Sequence, residues 1–242
     1  MLTWNQFAWA ALLFWAMSEQ NQSYQDLLGD ELLLNTLRNN PAELNVEQIQ
    51  TNVIGLLNAW RCRMERSVQA AFAIREQLQQ THSYLQALGG FDLETVDLDE
   101  NVIVEENQIP ISQACEEFYD GLRNNIGHKF AATAASKLLH LLQPNLFVMW
   151  DKKILASYRG NNPSIRDSGT GYSAFLRSMQ EMAINIHEVF NHQNQGQGNN
   201  PATFLSEQLH YDHPQALAKF LDEYNWVTIT KGVSVPPPWN PG

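Results

Sequence analysis

Residues 124–158 read NNIGHKFAATAASKLLHLLQPNLFVMWDKKILASY. A glycine-bearing turn, Asn124 to His128, opens a helix expected over Phe130–Leu142, which Pro144 ends. The apolar link Leu146–Trp150 then delivers Asp151, and a second helix is expected over Lys152–Arg159. In the first helix Lys129, Thr133, Ser136 with Lys137, and His140 recur at steps of three or four and so share a face. Ala131, Ala132, Ala134 and Ala135 permit close helix packing, and the N–H groups near Gly127 suit a phosphate. Asp151 stands after five apolar residues, either as an N-cap or as a functional acid; local sequence alone favours the cap.

The flanking sequence extends the helical pattern. Helices are expected over Phe7–Met17, Asp30–Asn39 (before Pro41), Tyr172–Phe190, Pro201–Leu209 and Pro214–Tyr224. Asn45–Ala59 carries Val46, Ile49, Val53, Leu56 and Leu57 at helical spacing, and the pattern runs on through Met64 to Leu88, ending at Gly89-Gly90. Ile111–Leu122 reads as a helix with Ser112 available as N-cap. The stretch 91–110 fits either a loop or a short strand. Residues 191–200 form a Gln/Asn/Gly tract expected to be a mobile loop. Val227–Thr230 favours a strand and Pro236-Pro237-Pro238 polyproline II, so 231–242 is expected as an extended tail. The fold class is therefore mainly α, a multi-helix globular fold with short extended segments. It forms one domain over 1–242, or two lobes, 1–90 with the C-terminal part and 111–190.

A chain of 242 residues, 44% hydrophobic and 17% charged, buries a full core and is not disordered. Two cysteines, Cys62 and Cys115, fall short of a disulfide framework or a structural zinc site; they are expected as small buried hydrophobes in a reducing compartment, hence in the cytoplasm. Residues 4–17 are strongly apolar, but no Lys or Arg precedes them and the run is too short for a bilayer. A buried helix carrying Trp4, Phe7, Trp9, Phe14 and Trp15 is expected there and no membrane partner, with membrane insertion as the minor alternative. The net charge of -11 argues against nucleic acid, yet the charge is unevenly spread. Residues 91–120 hold ten acids and no Lys or Arg, while 121–177 hold eight basic residues against Asp151 and Asp167 alone. Arg61, Arg63, Arg66 and Arg75 form a smaller basic cluster. A locally basic face on an acidic body suits phosphate contacts, with sequence fluctuation as the bland alternative. The acids of 91–120 are read, as a hypothesis, as limiting non-specific DNA binding.

At Ile126-Gly127-His128-Lys129 and Val148-Met149-Trp150-Asp151 the chain resembles the helix-hairpin-helix DNA glycosylases. It looks like a divergent bacterial member, of the 8-oxoguanine glycosylase-like or phage-defence type. The resemblance covers about 35 residues and extends loosely to Leu57-Asn58-Ala59-Trp60-Arg61-Cys62-Arg63. It implies a helix-hairpin-helix glycosylase-like fold, Asp151 as catalytic carboxylate and Lys129 at the position of the family's nucleophilic lysine. The hairpin carries one glycine where the family usually has two, and the interval from Lys129 to Asp151 is longer than expected, so Lys137 is a rival for the lysine role.

The implied chemistry is excision of a modified base from DNA, in repair or in defence against phage DNA with hypermodified bases. A buried carboxylate stabilises the oxocarbenium-like transition state, and a desolvated lysine can attack C1′. The implied DNA contacts are Asn125, Gly127, His128, Lys152, Lys153 and Arg159, and Trp60, Trp150 and Tyr172 are the implied base pocket, each with plain core packing as its alternative. His128 and His140 are possible phosphate contacts, with surface histidines the commoner case. The histidines at 187, 192, 210 and 213 match no ligand signature, so neither metal nor cofactor is expected. The competing reading is a non-catalytic helical module that binds DNA or a protein.

Overall fold

The computed structural model describes residues 2–18, 21–125, 131–193 and 200–237. It is mainly helical. In order come α1 (Trp4–Met17), α2 (Asn21–Leu28), α3 (Glu31–Asn39), α4 (Val46–Gln48), α5 (Ile54–Ala59), α6 (Val68–Gln80) and α7 (His82–Ala87). The antiparallel hairpin β1 (Asn101–Val104) and β2 (Asn107–Pro110) follows, with Val102 opposite Ile109. Then come α8 (Ile111–Asn125), α9 (Ala131–Leu142), α10 (Lys152–Asn161), α11 (Gly169–Gln193), α12 (Pro201–Gln208) and α13 (Leu217–Asn225). One hydrophobic core draws buried residues from every one of these helices except α4, and Ile154 anchors α10 in it. Ile126, Gly127, His128 and Lys129, expected as a hairpin, and most of the tract 191–200 lie outside the described residues, as does the tail beyond Pro237.

Local chemistry fixes most starts. Thr3 and Gln6 form a capping box on α1, Asp30 caps α3 and Ser67 caps α6, so orphan N–H groups are met by side-chain oxygens. Ser112, expected as a cap, instead lies inside α8, whose first N–H groups bond back to Glu100 O and Leu98 O. α11 starts three residues earlier than expected because α8 supplies its cap: Gly169 N–H donates to Asp120 Oδ1 at 2.8 Å. A side chain at Gly169 would bring Cβ within 2.3 Å of the Glu116 carbonyl, so glycine lets these two helices approach closely.

Three expectations are corrected. The helical pattern does not run from Asn45 to Leu88: residues 46–59 form a helix with a π-helical turn at Ile49–Val53, and the chain then leaves helix between Trp60 and Ser67. Val227–Thr230 is no strand; Trp226–Thr230 continues α13 as a π-helical turn packed on α10. On α1, Trp4, Phe7 and Phe14 are buried, but Trp15 is 47% exposed. Among the described residues no helix is long and apolar enough to cross a membrane.

The link Leu146–Trp150 is buried throughout and held by side chains. His140 Nδ1 lies 2.7 Å from Phe147 O, and Tyr172 Oη donates to Val148 O at 2.8 Å. Ser136 Oγ donates to Trp150 O at 3.1 Å and accepts from Trp150 N at 3.2 Å. A carbonyl only accepts, so His140 carries its proton on Nδ1, and Nε2 accepts from Tyr24 Oη at 2.9 Å. His140 is thus a wholly buried strut, not a phosphate contact or a surface residue. Burial pushes its pKa down to about 3, opposed by the bond to Phe147 O and helped by Lys219 and Arg38.

A depressed histidine pKa means that the unfolded chain takes up the proton near pH 6.5 and the folded chain only near 3. The stability from neutral His140 is therefore complete above pH 6.5 and is lost as the pH falls toward 3. His140→Gln should lower stability at pH 7 and flatten this acid limb, read as the urea midpoint of each protein between pH 7 and pH 4.

Candidate functional site

A cavity of about 500 Å³ opens where α1, the end of α5, α9, the link, α10 and α13 with its π-helical turn converge. Of the residues singled out from sequence, Trp60, Lys137, Trp150, Asp151, Lys152 and Lys153 line it. Tyr172 does not; its ring stacks on Tyr119 at 4.5 Å and meets Trp150 edge-on behind the wall. Arg159 is exposed near the far end of α10, roughly 10 Å along the helix from its start at 1.5 Å per residue. Asn125 ends α8, and its side chain, with Gly127, His128 and Lys129, lies outside the described residues.

Asp151 sits at the junction of two elements. Its Oδ1 accepts from Lys153 N at 2.7 Å and Ile154 N at 2.9 Å, the N-cap that local sequence favoured. Its Oδ2 accepts from Thr230 Oγ1 at 2.6 Å, and Lys153 Nζ donates to Thr230 O at 2.8 Å. The carboxylate is thus oriented from both ends while its residue lines the cavity.

Lys137 lies one turn beyond Thr133 on α9, and both line the cavity. Its Nζ donates to Trp60 O at 2.5 Å and lies 5.8 Å from the Trp60 ring centroid. Trp60 opens a loop locked by Asn58, whose side chain bonds both Met64 N and Met64 O. Cys62 points inward, and Arg61 and Arg63 on either side adopt left-handed φ values of 62° and 53°. Such backbone costs a non-glycine residue about 1–2 kcal/mol, so two arginines at the cavity are held there against local preference.

Sequence reasoning missed Arg61 and Arg63 as pocket residues, and missed Lys219, Asp222, Trp226 and Lys231 altogether. Lys219 is 2% exposed, with Nζ 3.0 Å from Glu223 Oε1 and 3.6 Å from Asp222 Oδ2. Burial raises the pKa of Asp222 and lifts that of Glu223 to about 7, each opposed by Lys219. The available signal was a lysine at three and four residues before two acids, inside a helical stretch that otherwise carries Leu217, Ala218, Phe220, Leu221 and Tyr224.

Seven of the chain's 15 Lys and Arg residues line this one cavity, against two of its 26 Asp and Glu. Among the described residues Arg61, Lys137, Lys152, Lys153 and Lys231 make no ion pair. By contrast Arg123 is tied by two bonds to Asp167, and Arg177 pairs with Asp99. The site therefore suits an anion with an aromatic or apolar part. No family model, curated protein or solved structure matches the chain.

Asn tolerates left-handed backbone, so Arg61→Asn removes the charge without adding strain. Its unfolding free energy should stay within about 0.5 kcal/mol of wild type. Affinity for a polyanion such as heparin should fall, with the log–log salt slope shallower by about one.

Proposed function

We propose that the chain is a DNA glycosylase of the helix-hairpin-helix type that excises a modified base, in repair or in defence against phage DNA with hypermodified bases. The observation that carries this reading is the concentration of basic residues around an aromatic cavity walled on one side by Asp151. An acidic protein that spends nearly half its cations on one cavity is suited to a ligand with several negative charges. Lys152, Lys153, Arg61 and Arg63 would take phosphates, joined by Arg159 and by the hairpin residues Asn125, Gly127 and His128. A base turned out of the duplex would enter between Trp60, Trp150, Phe14 and Trp226.

Cleavage breaks the C1′–N bond as positive charge grows on the sugar. Asp151, with its orientation fixed by the α10 N-terminus and Thr230, would stabilise that charge and align the attacking water. In the lysine role, Lys129 is favoured by the resemblance and Lys137 by its position at the cavity. One observation favours a second reading, a non-catalytic helical module that binds DNA or a protein. Both Asp151 oxygens are already engaged in structural hydrogen bonds.

Asp151→Asn separates the two readings because asparagine is an equally good N-cap and the Thr230 hydroxyl can reverse to accept from the amide. The variant should fold as wild type does. If the chain is a glycosylase, abasic-site formation on a panel of unmodified, alkylated, oxidised and phage-derived hypermodified duplexes should fall by about 10²–10³-fold. DNA binding without any abasic product from wild type would favour the module.

A further inference from the structure

We propose that Asp222 is the proton donor to the departing base, and that the buried cluster Asp222–Lys219–Glu223 stores the proton it delivers. This rests on the glycosylase reading and adds a residue to it. One lysine lies between two carboxylates in a nearly dry interior. Tyr211 Oη donates to Glu223 Oε1 at 3.2 Å, while among the described residues Glu223 Oε2 has no hydrogen-bond partner. Lys219 Nζ is also 4.3 Å from the Phe14 ring centroid. With both acids ionised, one buried lysine would face two buried negative charges, which burial disfavours. One shared proton makes the cluster neutral, and the two acids then titrate as a pair.

The groups facing this pair from other elements are few. Across the cavity, Lys137 on α9 lowers the pKa of Asp222 and Asp151 raises it. Tyr24 on α2 and Tyr172 on α11 are themselves lifted above the usual phenol range by burial, and so stay neutral. Of the two acids only Asp222 lines the cavity, so it is the outlet for the stored proton. Two cavity carboxylates thus occupy opposite environments. Asp151 accepts three hydrogen bonds, whereas burial raises the pKa of Asp222. That division suits one for a cationic transition state and the other for the leaving group. As the C1′–N bond breaks, its electron pair goes to the base nitrogen, which takes the Asp222 proton. Water oxygen bonds C1′, and the proton it sheds restores the cluster.

The test uses any duplex from which the wild type forms abasic sites, with single-turnover rates measured across pH. The wild-type rate should fall as the pH rises through the loss of the shared proton, near the value of about 7 reached by Glu223. Asp222→Asn leaves Lys219 and Glu223 as a balanced pair and should fold. It should slow cleavage by about 10²–10⁴-fold and abolish the alkaline fall. It should stay near the wild-type rate on the same duplex carrying an electron-poor base that departs as a stable anion. Asp222→Glu should recover part of the rate and the pH dependence. An Asp222→Asn rate and pH profile equal to wild type would overturn the role and leave the glycosylase reading standing. Absence of product from wild type on every duplex overturns both. Should Asp222→Asn not fold, wild type alone decides. A rate nearly independent of leaving-base acidity supports the donor, and a steep dependence refutes it.

Discussion

The backbone of Leu146–Trp150 is buried without belonging to a helix or a sheet, so its peptide groups have no regular ladder to join. Side chains take that place. His140 meets Phe147 and Ser136 meets Trp150, so the link runs back antiparallel along the helix that precedes it. One step of four residues down α9 is matched by three residues along the link. The same progression brings Asp151 level with Thr133 and Lys137, which is why all three meet at one cavity. Tyr172 closes the link from the α11 side, and the stack of Tyr172 on Tyr119 backs Trp150. Loosening this zipper would move the carboxylate and the wall of the cavity together.

The electrostatics follow from the same arrangement. Much of the acidic stretch 91–120 has structural work away from the cavity. Asp120 caps α11, Glu116 accepts from Thr170, Glu117 from Tyr84, and Asp99 pairs with Arg177. Carboxylates engaged there do not neutralise the lysines and arginines around Asp151. A protein of net charge -11 therefore presents a cavity where basic groups outnumber acids by seven to two. A net charge of -11 repels a polyanion at long range, and the basic cavity is a place where that repulsion is locally offset.

What was legible in the sequence was local. Helix α9, Pro144, the apolar link and the cap at Asp151 each declare themselves within a few residues, and the structure has them in that order. Features set by tertiary contact were not legible. Val-Thr-Ile-Thr at 227–230 has strand propensity, but Thr230 is held by Asp151 and Lys153, and the segment extends α13 instead. The break after Ala59 depends on Asn58 bonding Met64 across the turn, which a helical spacing of apolar residues does not reveal. Tyr172 and Trp150 share a cluster, but a sequence does not say which ring faces a cavity and which backs it. Arg61 on one side and Lys219 with Asp222 on the other come to the cavity from parts of the chain far apart in sequence.

Two of the cavity's features cost stability. Arg61 and Arg63 hold left-handed backbone that glycine or asparagine would adopt with less strain. Lys219, Asp222 and Glu223 place three ionisable groups where apolar side chains of similar size are commonly as stable or more so. Neither feature is required to build the helices around it, since α5 and α13 are anchored by Leu56, Leu57, Phe220 and Leu221 in the core. When unfavourable local choices converge on one concave site, selection for what that site does accounts for them better than selection for the fold. The strained arginines bring positive charge to the cavity from one wall, and the proposed role of the buried triad is to bring an exchangeable proton from the other. On the proposed reading, Asp151 would lie between an anion-binding rim and a proton source, the combination that breaking a bond between a sugar and a poor leaving group requires.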